Sequence, residues 1–215
     1  FLNLTTRHLL SIALFAVVHV SVAHAELLPR PDHVVVVIEE NRSYKQIMDP
    51  HNHNSYIHAL AKRGVLFTNS YGVTHPSQPN YLALFSGATQ GVINNACPLA
   101  FDSDNLASAL LDAGLSFASF AESLPEVGDV SCTSGAYARK HNAVVNWQGS
   151  RLPADLNRRF ADFPQDFSRL PTVSFVIPNK DNDMHDGSFA DADDWLKTRI
   201  APYVDWAMKH NSLLI

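Results

Sequence analysis

Ser77 stands where a loop of hydroxyls and prolines turns into an apolar run. The stretch reads Tyr71-Gly72-Val73-Thr74-His75-Pro76-Ser77-Gln78-Pro79-Asn80-Tyr81-Leu82-Ala83-Leu84-Phe85-Ser86-Gly87. Pro79 suits the first turn of a helix, where a missing N–H costs nothing, and Gly87 suits the exit. Ser77 then falls at a helix N-terminus, where free N–H groups and the positive end of the dipole favour a bound anion. Two readings stand: a nucleophilic hydroxyl facing a phosphate, or a helix cap.

Other polar clusters follow β-branched runs. Asp32-His33-Val34-Val35-Val36-Val37-Ile38 gives way to Glu39-Glu40-Asn41-Arg42-Ser43. A continuous apolar run of this kind suits a strand buried on both faces, and open α/β sheets bind ligands beyond the carboxyl ends of their strands. Glu40 and Asn41 offer hard oxygen donors for a divalent cation. They also suit a solvated strand end with Asn41 or Ser43 capping the next helix. Asn41-Arg42-Ser43 is in addition a glycosylation sequon, and a glycan on Asn41 would block a metal site.

Val65-Leu66-Phe67-Thr68-Asn69 reads as a second strand leading into the Ser77 stretch, and Leu115 to Phe120 as a third, closing in Ala121-Glu122-Ser123. Thr172 to Pro178 is a fourth, and it ends in Asn179-Lys180-Asp181-Asn182-Asp183-Met184-His185-Asp186-Gly187. Between the third and fourth lies Tyr137-Ala138-Arg139-Lys140-His141-Asn142, whose Arg, Lys and His suit a phosphate group or a solvated basic loop. One polar strand end is commonplace; several on one edge of a sheet make a site. His51, His53 and His58 form a weaker cluster. No Cys or carboxylate partner lies at structural-zinc spacing from them, so they read as a solvated loop.

Helical patterns separate these strands. Tyr44 to Arg63 is helical, broken by the loop Asp49 to Ser55 and ended by Gly64. Asp102 to Ala113 is a helix capped by Asp102 or Ser103 and ended by Gly114. In Arg151 to Arg169 the rings of Phe160, Phe163 and Phe167 have near-helical spacing and read as core anchors. Asp191 to His210 is helical, with Pro202 kinking or dividing it. Leu213-Leu214-Ile215 opens another strand. The alternation implies one α/β domain over residues 26–215, a three-layer α/β/α sandwich with a mainly parallel central sheet.

The chain has 215 residues and a formal net charge of −5, which gives no electrostatic case for a nucleic-acid partner. Arg7 and His8 precede the apolar run Leu9 to Val22, which closes in Ala23-His24-Ala25. That is the pattern of a signal peptide over residues 1–25, cleaved after Ala25. The alternative, an uncleaved anchor, asks for ~20 apolar residues. Cleavage implies a secreted or periplasmic protein with no stable membrane insertion. In such a compartment Cys97 and Cys132, both in polar loops, are expected to form a disulfide.

Four motifs in order carry a resemblance: Glu40-Asn41-Arg42-Ser43-Tyr44 after the first strand, Ser77-Gln78-Pro79-Asn80-Tyr81, Tyr137 to Asn142, and Pro178-Asn179 with Asp183-Met184-His185-Asp186. The chain resembles the secreted phosphoesterase family that groups acid phosphatases with phospholipases C, within the alkaline-phosphatase-like superfamily. The resemblance implies that Glu40, Asn41 and Ser77 bind a divalent metal ion and that Ser77 is the nucleophile, with Thr74 as runner-up. It implies that Asn80 and Lys140 help hold a small phosphate ester, and that His141 and His185 line the phosphate pocket. His185 would protonate the leaving oxygen. The expected activity is phosphomonoester hydrolysis through a phosphoserine. Phospholipase C-type diester hydrolysis and a non-catalytic secreted anion-binding fragment are the alternatives. The family also carries an Asp-Glu metal pair after the strand that begins here at Leu213. The expectation is therefore a domain incomplete at its C-terminus, with a partial metal site and little activity.

Overall fold

The computed structural model describes residues 29–215. The stretch read as a signal peptide, residues 1–25, lies outside the described residues. In chain order the elements are β1 (His33–Val37), α1 (Tyr44–Ile47), α2 (Tyr56–Arg63), α3 (Ser77–Ser86), α4 (Leu106–Asp112), β2 (Phe117–Ala121), β3 (Thr133–Ser134), β4 (Tyr137–Ala138), β5 (Asn157–Arg159), β6 (Val173–Ile177), α5 (Phe189–Arg199), α6 (Ala201–Ala207) and β7 (Ser212–Leu214), with short 3-10 turns between them.

Five strands form one sheet in the order β5-β2-β6-β1-β7, and every pairing in it is parallel. β3 and β4 form a separate two-stranded antiparallel hairpin. Side chains alternate across a strand. Val35, Ala118, Phe120 and Val176 accordingly face one apolar layer, with Trp195 and Leu196 of α5 and Tyr203 and Val204 of α6. Phe117 and Phe175 face the other, with Tyr81, Leu82 and Phe85 of α3, Ala107 of α4 and Trp147. Both faces are covered, which is the expected α/β/α arrangement.

Parallel strands all point their carboxyl ends one way, so the loops after β1, β2 and β6 meet along one rim. α3 is fastened above that rim by Phe85, whose ring packs 5.6 Å from Phe117, 5.2 Å from Trp147 and 6.0 Å from Phe175. Gly87 then ends the helix in the left-handed region, at φ 75°, where a side chain would be strained. The Cys97–Cys132 disulfide is formed. Pro202 sits in the first turn of α6, so the expected long helix is divided at Ile200.

Two expectations are corrected. Val65 to Asn69 is not a strand: Val65 is 82% and Phe67 75% exposed, and no described strand pairs with the segment. A β-branched or aromatic run becomes a strand only where a neighbouring edge accepts its backbone hydrogen bonds. The helix expected from Asp102 starts at Leu106, because Asn105 and Ser108 form a reciprocal capping box that Asp102 and Ser103 cannot. The region Arg151 to Arg169 holds 3-10 turns and β5, and Phe160, Phe163 and Phe167 pack into the core as expected.

Truncating a buried ring removes its transfer energy and leaves a cavity. Phe85→Ala is expected to lower stability by about 3–5 kcal/mol in urea denaturation. A loss well below that range would mean that α3 is not held to the sheet through this ring.

Candidate active site

The opening residues of α3 are those of the Ser77 motif. Pro76 is the N-cap and makes no side-chain cap bond, and Ser77 is the first helical residue. Its hydroxyl does not cap the helix. It donates across the rim to Glu40 Oε1 at 2.8 Å. That contact favours the functional reading of Ser77 over the capping one. The N–H of Gln78 is taken by Asn95 Oδ1 at 3.0 Å.

Glu40 is delivered by the end of β1 and fixed by its own N–H, which donates to the Asp183 carbonyl at 2.9 Å. Its Oε1 lies 2.7 Å from His141 Nε2 and 3.7 Å from His185 Nε2. One carboxylate oxygen thus gathers the serine and both histidines. Burial alone would raise the Glu40 pKa, but His141, Ser77 and His185 outweigh it and hold the carboxyl below its ordinary value.

His141 comes from a 3-10 turn after β4 and is 1% exposed. Asn142 anchors that turn, accepting from Ser119 Oγ at 3.1 Å and donating to Asn157 Oδ1 at 2.8 Å. The His141 ring stands between two carboxylates, with Nδ1 2.9 Å from Asp183 Oδ2. Neither His141 Nε2 nor Asp183 Oδ2 makes an aligned hydrogen bond, so the attraction is ionic. Burial opposes charge on His141. Asp183 and Glu40 more than offset this, and the pKa is raised. The ring of Tyr81 stacks on His141 at 5.0 Å and 15°, a geometry that also favours the imidazolium.

His185 follows β6 in a tightly bonded loop. Its N–H donates to Asp183 Oδ1 at 2.8 Å, so one fully buried aspartate positions both histidines. Lys140 Nζ lies 2.8 Å from His185 Nε2.

The other expected residues take more local places. Asn80 accepts from the N–H groups of Val73 and Thr74 and donates to the carbonyls of Thr74 and Pro76. Its amide therefore pins the loop before Ser77 with its full bonding capacity. The Thr74 hydroxyl donates to the His75 carbonyl at 3.3 Å and touches no carboxylate. Asn41 is exposed, adopts φ 61° and lines the pocket together with Thr74, Ser77, Asn80, Lys140 and His185. This pocket has a volume of about 740 Å³.

The described residues hold one group whose donor atoms converge closely enough for a metal ion: Glu40, His141 and His185, all within 4.8 Å of one another. The convergence on Glu40 is consistent with a divalent ion at this rim. Its donors are two histidine nitrogens and a carboxylate, whereas the sequence reading expected Glu40, Asn41 and Ser77. His51, His53 and His58 form no such group: His58 Nε2 is bonded to the Ile47 carbonyl and His53 Nδ1 to the Pro50 carbonyl.

Sequence reasoning gave no role to Asp183, Tyr81 or Glu39. Tyr81 was within reach, since residues four apart share a helix face with Ser77. Asp183 was visible only as one of several acids around His185. Both Glu39 carboxyl oxygens are shut off from solvent with no hydrogen-bond partner. Burial, followed by the charges of Asp183, Glu122 and Asp193, pushes the Glu39 pKa up to about 9.

A serine at a helix start, a buried histidine held between two carboxylates and a lysine thus meet at the carboxyl rim of a parallel sheet in an α/β protein. The chain belongs to the Phosphoesterase family, whose model matches residues 50–215. It is similar to a phosphatidylinositol-3-phosphatase of Mycobacterium tuberculosis, with 48% identity over 194 residues that cover 89% of this chain and 64% of the relative. It is also similar to an acid phosphatase of Aspergillus fumigatus, with 31% identity over 169 residues, 73% of this chain and 38% of the relative. A probable acid phosphatase of Kluyveromyces lactis shares 30% identity over 173 residues, 73% of this chain and 41% of the relative. The chain therefore spans less than two thirds of these relatives' lengths. No solved structure matches it.

Glu39 makes stability depend on pH. Below the ordinary carboxyl range it is protonated in both folded and unfolded chains. Between an ordinary glutamate's 4.5 and about 9 the unfolded chain loses the proton while the folded one keeps it. Its contribution to stability is therefore lost as pH rises through that window. In chelator-treated protein, Glu39→Gln is expected to raise the melting temperature relative to the parent more at pH 8 than at pH 5. A difference that does not change with pH would show that Glu39 titrates normally.

Proposed function

We propose that this domain hydrolyses small phosphate monoesters, with Ser77 as nucleophile and a phosphoserine as the intermediate. The observation that carries the reading is the Ser77 Oγ to Glu40 Oε1 hydrogen bond, 2.8 Å long and made at a helix start. It ties a hydroxyl of the pocket to a carboxylate acceptor, which the Thr74 hydroxyl lacks. The relatives named as phosphatases support the same class of chemistry.

A phosphate ester would enter with its free oxygens toward Lys140 and the start of α3, with the buried His141 behind Glu40. A monoester carries up to two negative charges, which the Lys140 ammonium offsets. Glu40 orients the hydroxyl. As Ser77 Oγ bonds to phosphorus in line with the leaving oxygen, its proton passes toward Glu40 Oε1. The P–O bond to the leaving group breaks, and His185 Nε2 gives that oxygen a proton. Lys140 neutralises charge on the equatorial oxygens, and His141 steadies Glu40 from the core side. Water then attacks the phosphoserine, losing its proton to His185; the P–Oγ bond breaks and Ser77 Oγ takes its proton back from Glu40 Oε1 as phosphate leaves. A divalent ion held by Glu40, Asn41 and Ser77 would supply Lewis-acid stabilisation of the phosphate charge and lower the pKa of the serine hydroxyl. Asn80 acts by shaping the loop that presents Ser77. The leader-like N-terminus supports a secreted or periplasmic location. No helix among the described residues is long and apolar enough to cross a membrane.

Ser77→Ala is expected to abolish hydrolysis of p-nitrophenyl phosphate while leaving the circular dichroism and melting temperature of the parent. Thr74→Ala is expected to keep measurable turnover. Normal turnover in Ser77→Ala, or loss only in Thr74→Ala, would overturn the assignment. Chelation should remove activity, and added divalent metal should restore it. Faster hydrolysis of p-nitrophenyl phosphorylcholine than of the monoester would favour the phospholipase C reading. Binding of phosphate with no turnover of either ester would favour a non-catalytic anion-binding domain.

A further inference from the structure

Helix α3 begins without a cap of its own. Pro76 at its N-cap offers no side-chain acceptor, and the N–H of Gln78, the second helical residue, is met instead by Asn95 Oδ1 at 3.0 Å. Asn95 lies 17 residues on, in the loop after α3, so the helix is capped from outside. A backbone N–H only donates, so the atom of the Asn95 amide that faces it is the oxygen. That fixes which way the amide is turned. Its Nδ2 group lies on the other branch, carries two hydrogens and donates to none of the described residues, and the side chain borders the pocket.

Three asparagines line that pocket: Asn41, Asn80 and Asn95. Asn80 accepts twice and donates twice within the loop before Ser77, so its amide hydrogens are already committed. Asn41 belongs to the proposed metal set. Of the three, only Asn95 combines a fixed oxygen with free amide hydrogens, and it does so against the residue that follows Ser77. The Gln78 N–H is one that an anion at a helix start would otherwise take. Asn95 occupies it and offers two hydrogens in its place.

The loop that carries Asn95 is anchored. Val92 and Leu99 pack against the aromatic layer under α3, and Cys97 is bonded to Cys132. The buried Arg139 donates to the Leu99 carbonyl at 2.6 Å and to the Val130 carbonyl at 2.8 Å, and so ties both sides of the disulfide to the 3-10 turn that holds Lys140. Asn94 turns back on the loop itself, accepting from the Ala96 N–H at 3.0 Å. Asn95 and Lys140 therefore belong to one cross-linked unit, and both border the pocket. An amide already held in place loses little freedom when it meets a ligand.

We propose that Asn95 is a substrate-binding residue, whose Nδ2 donates to a phosphoryl oxygen of the ester while its Oδ1 holds the start of α3. The inference rests on the phosphate pocket of the monoesterase reading and adds a neutral donor to it. Lys140 supplies charge. Asn95 supplies direction, because an amide of fixed orientation reaches only an oxygen placed on its Nδ2 side. No proton moves at Asn95 and its charge does not change, so the contact persists from ester to phosphoserine to free phosphate. Inorganic phosphate therefore reports on it as well as the ester does.

Two substitutions separate the two ends of the amide. Asn95→Ala removes both, whereas Asn95→Asp keeps the acceptor, which caps a helix as well as Asn does, and replaces the donor with an anionic oxygen. Asn95→Ala is expected to lower the melting temperature by about 2–4 °C and to raise the dissociation constant of inorganic phosphate, measured by isothermal titration calorimetry, about tenfold. Asn95→Asp is expected to melt with the parent and to bind phosphate more weakly than the parent by about tenfold or more. Asn94→Asp places the same charge one residue away, outside the pocket lining, and should change phosphate binding by no more than about twofold. In 1H–15N spectra, the side-chain amide pair that disappears in Asn95→Asp should shift when inorganic phosphate is added to the parent. Unchanged phosphate binding in Asn95→Ala, equal weakening in Asn94→Asp and Asn95→Asp, or an amide pair that does not move would overturn the proposal, and monoester turnover by the parent would still support the monoesterase reading. Phosphate binding that depends on Asn95 in a protein that hydrolyses no monoester would refute the monoesterase reading alone.

Discussion

A single oxygen, Glu40 Oε1, is the point on which the site depends. It accepts from Ser77 at 2.8 Å, stands 2.7 Å from His141 Nε2 and reaches His185 at 3.7 Å. A carboxylate this enclosed is costly unless it is paired. The pairing partner, His141, is itself buried, and Asp183 on the other side of the ring joins Glu40 in raising its pKa. Acid, histidine and acid form one line from the core to the pocket. Removing any member leaves an uncompensated buried charge, so stability and function cannot be separated at these three residues.

The fold brings that line together by direction more than by local sequence. Glu40 follows β1, His185 and Asp183 follow β6, and His141 follows the β3–β4 hairpin. β1 and β6 are adjacent and parallel, with Val36 opposite Phe175, so their carboxyl ends emerge side by side. Helix α3 contributes Ser77 from above, and its depth is set by Phe85 among Phe117, Trp147 and Phe175. The aromatic layer is therefore part of the active geometry at a distance: it fixes where the serine hydroxyl meets the carboxylate. Asn80 does the same for the loop, with four hydrogen bonds between residues 73 and 76.

Much of this was legible in the residues. Runs such as Val34 to Ile38 announce buried parallel strands, and the repeated change from such runs to carboxylates, amides and histidine announces a rim. What periodicity could not supply was partnership. Val65 to Asn69 has strand-like residues but no described neighbour to pair with. Asn157-Arg158-Arg159 looks like loop, yet it pairs with β2 through its backbone. The same limitation applied to the site. Ser77 as cap and Ser77 as nucleophile share one sequence, and only the hydrogen bond to Glu40, 37 residues away, separates them. Asp183 and Asp186 look alike in the chain. One is buried against His141 and the other lies on the outer side of His185, because Met184 between them turns through the left-handed region at φ 72°.

The central claim is that Ser77 Oγ becomes covalently bound to phosphorus. The direct measurement is rapid acid quenching of the protein during turnover of p-nitrophenyl phosphate, followed by peptide mass spectrometry. The expected result is one added phosphoryl group on the peptide containing Ser77, localised to that residue and missing in Ser77→Ala. Sustained turnover with no phosphorylated peptide, or with the phosphoryl group on Thr74 or a histidine, would contradict it.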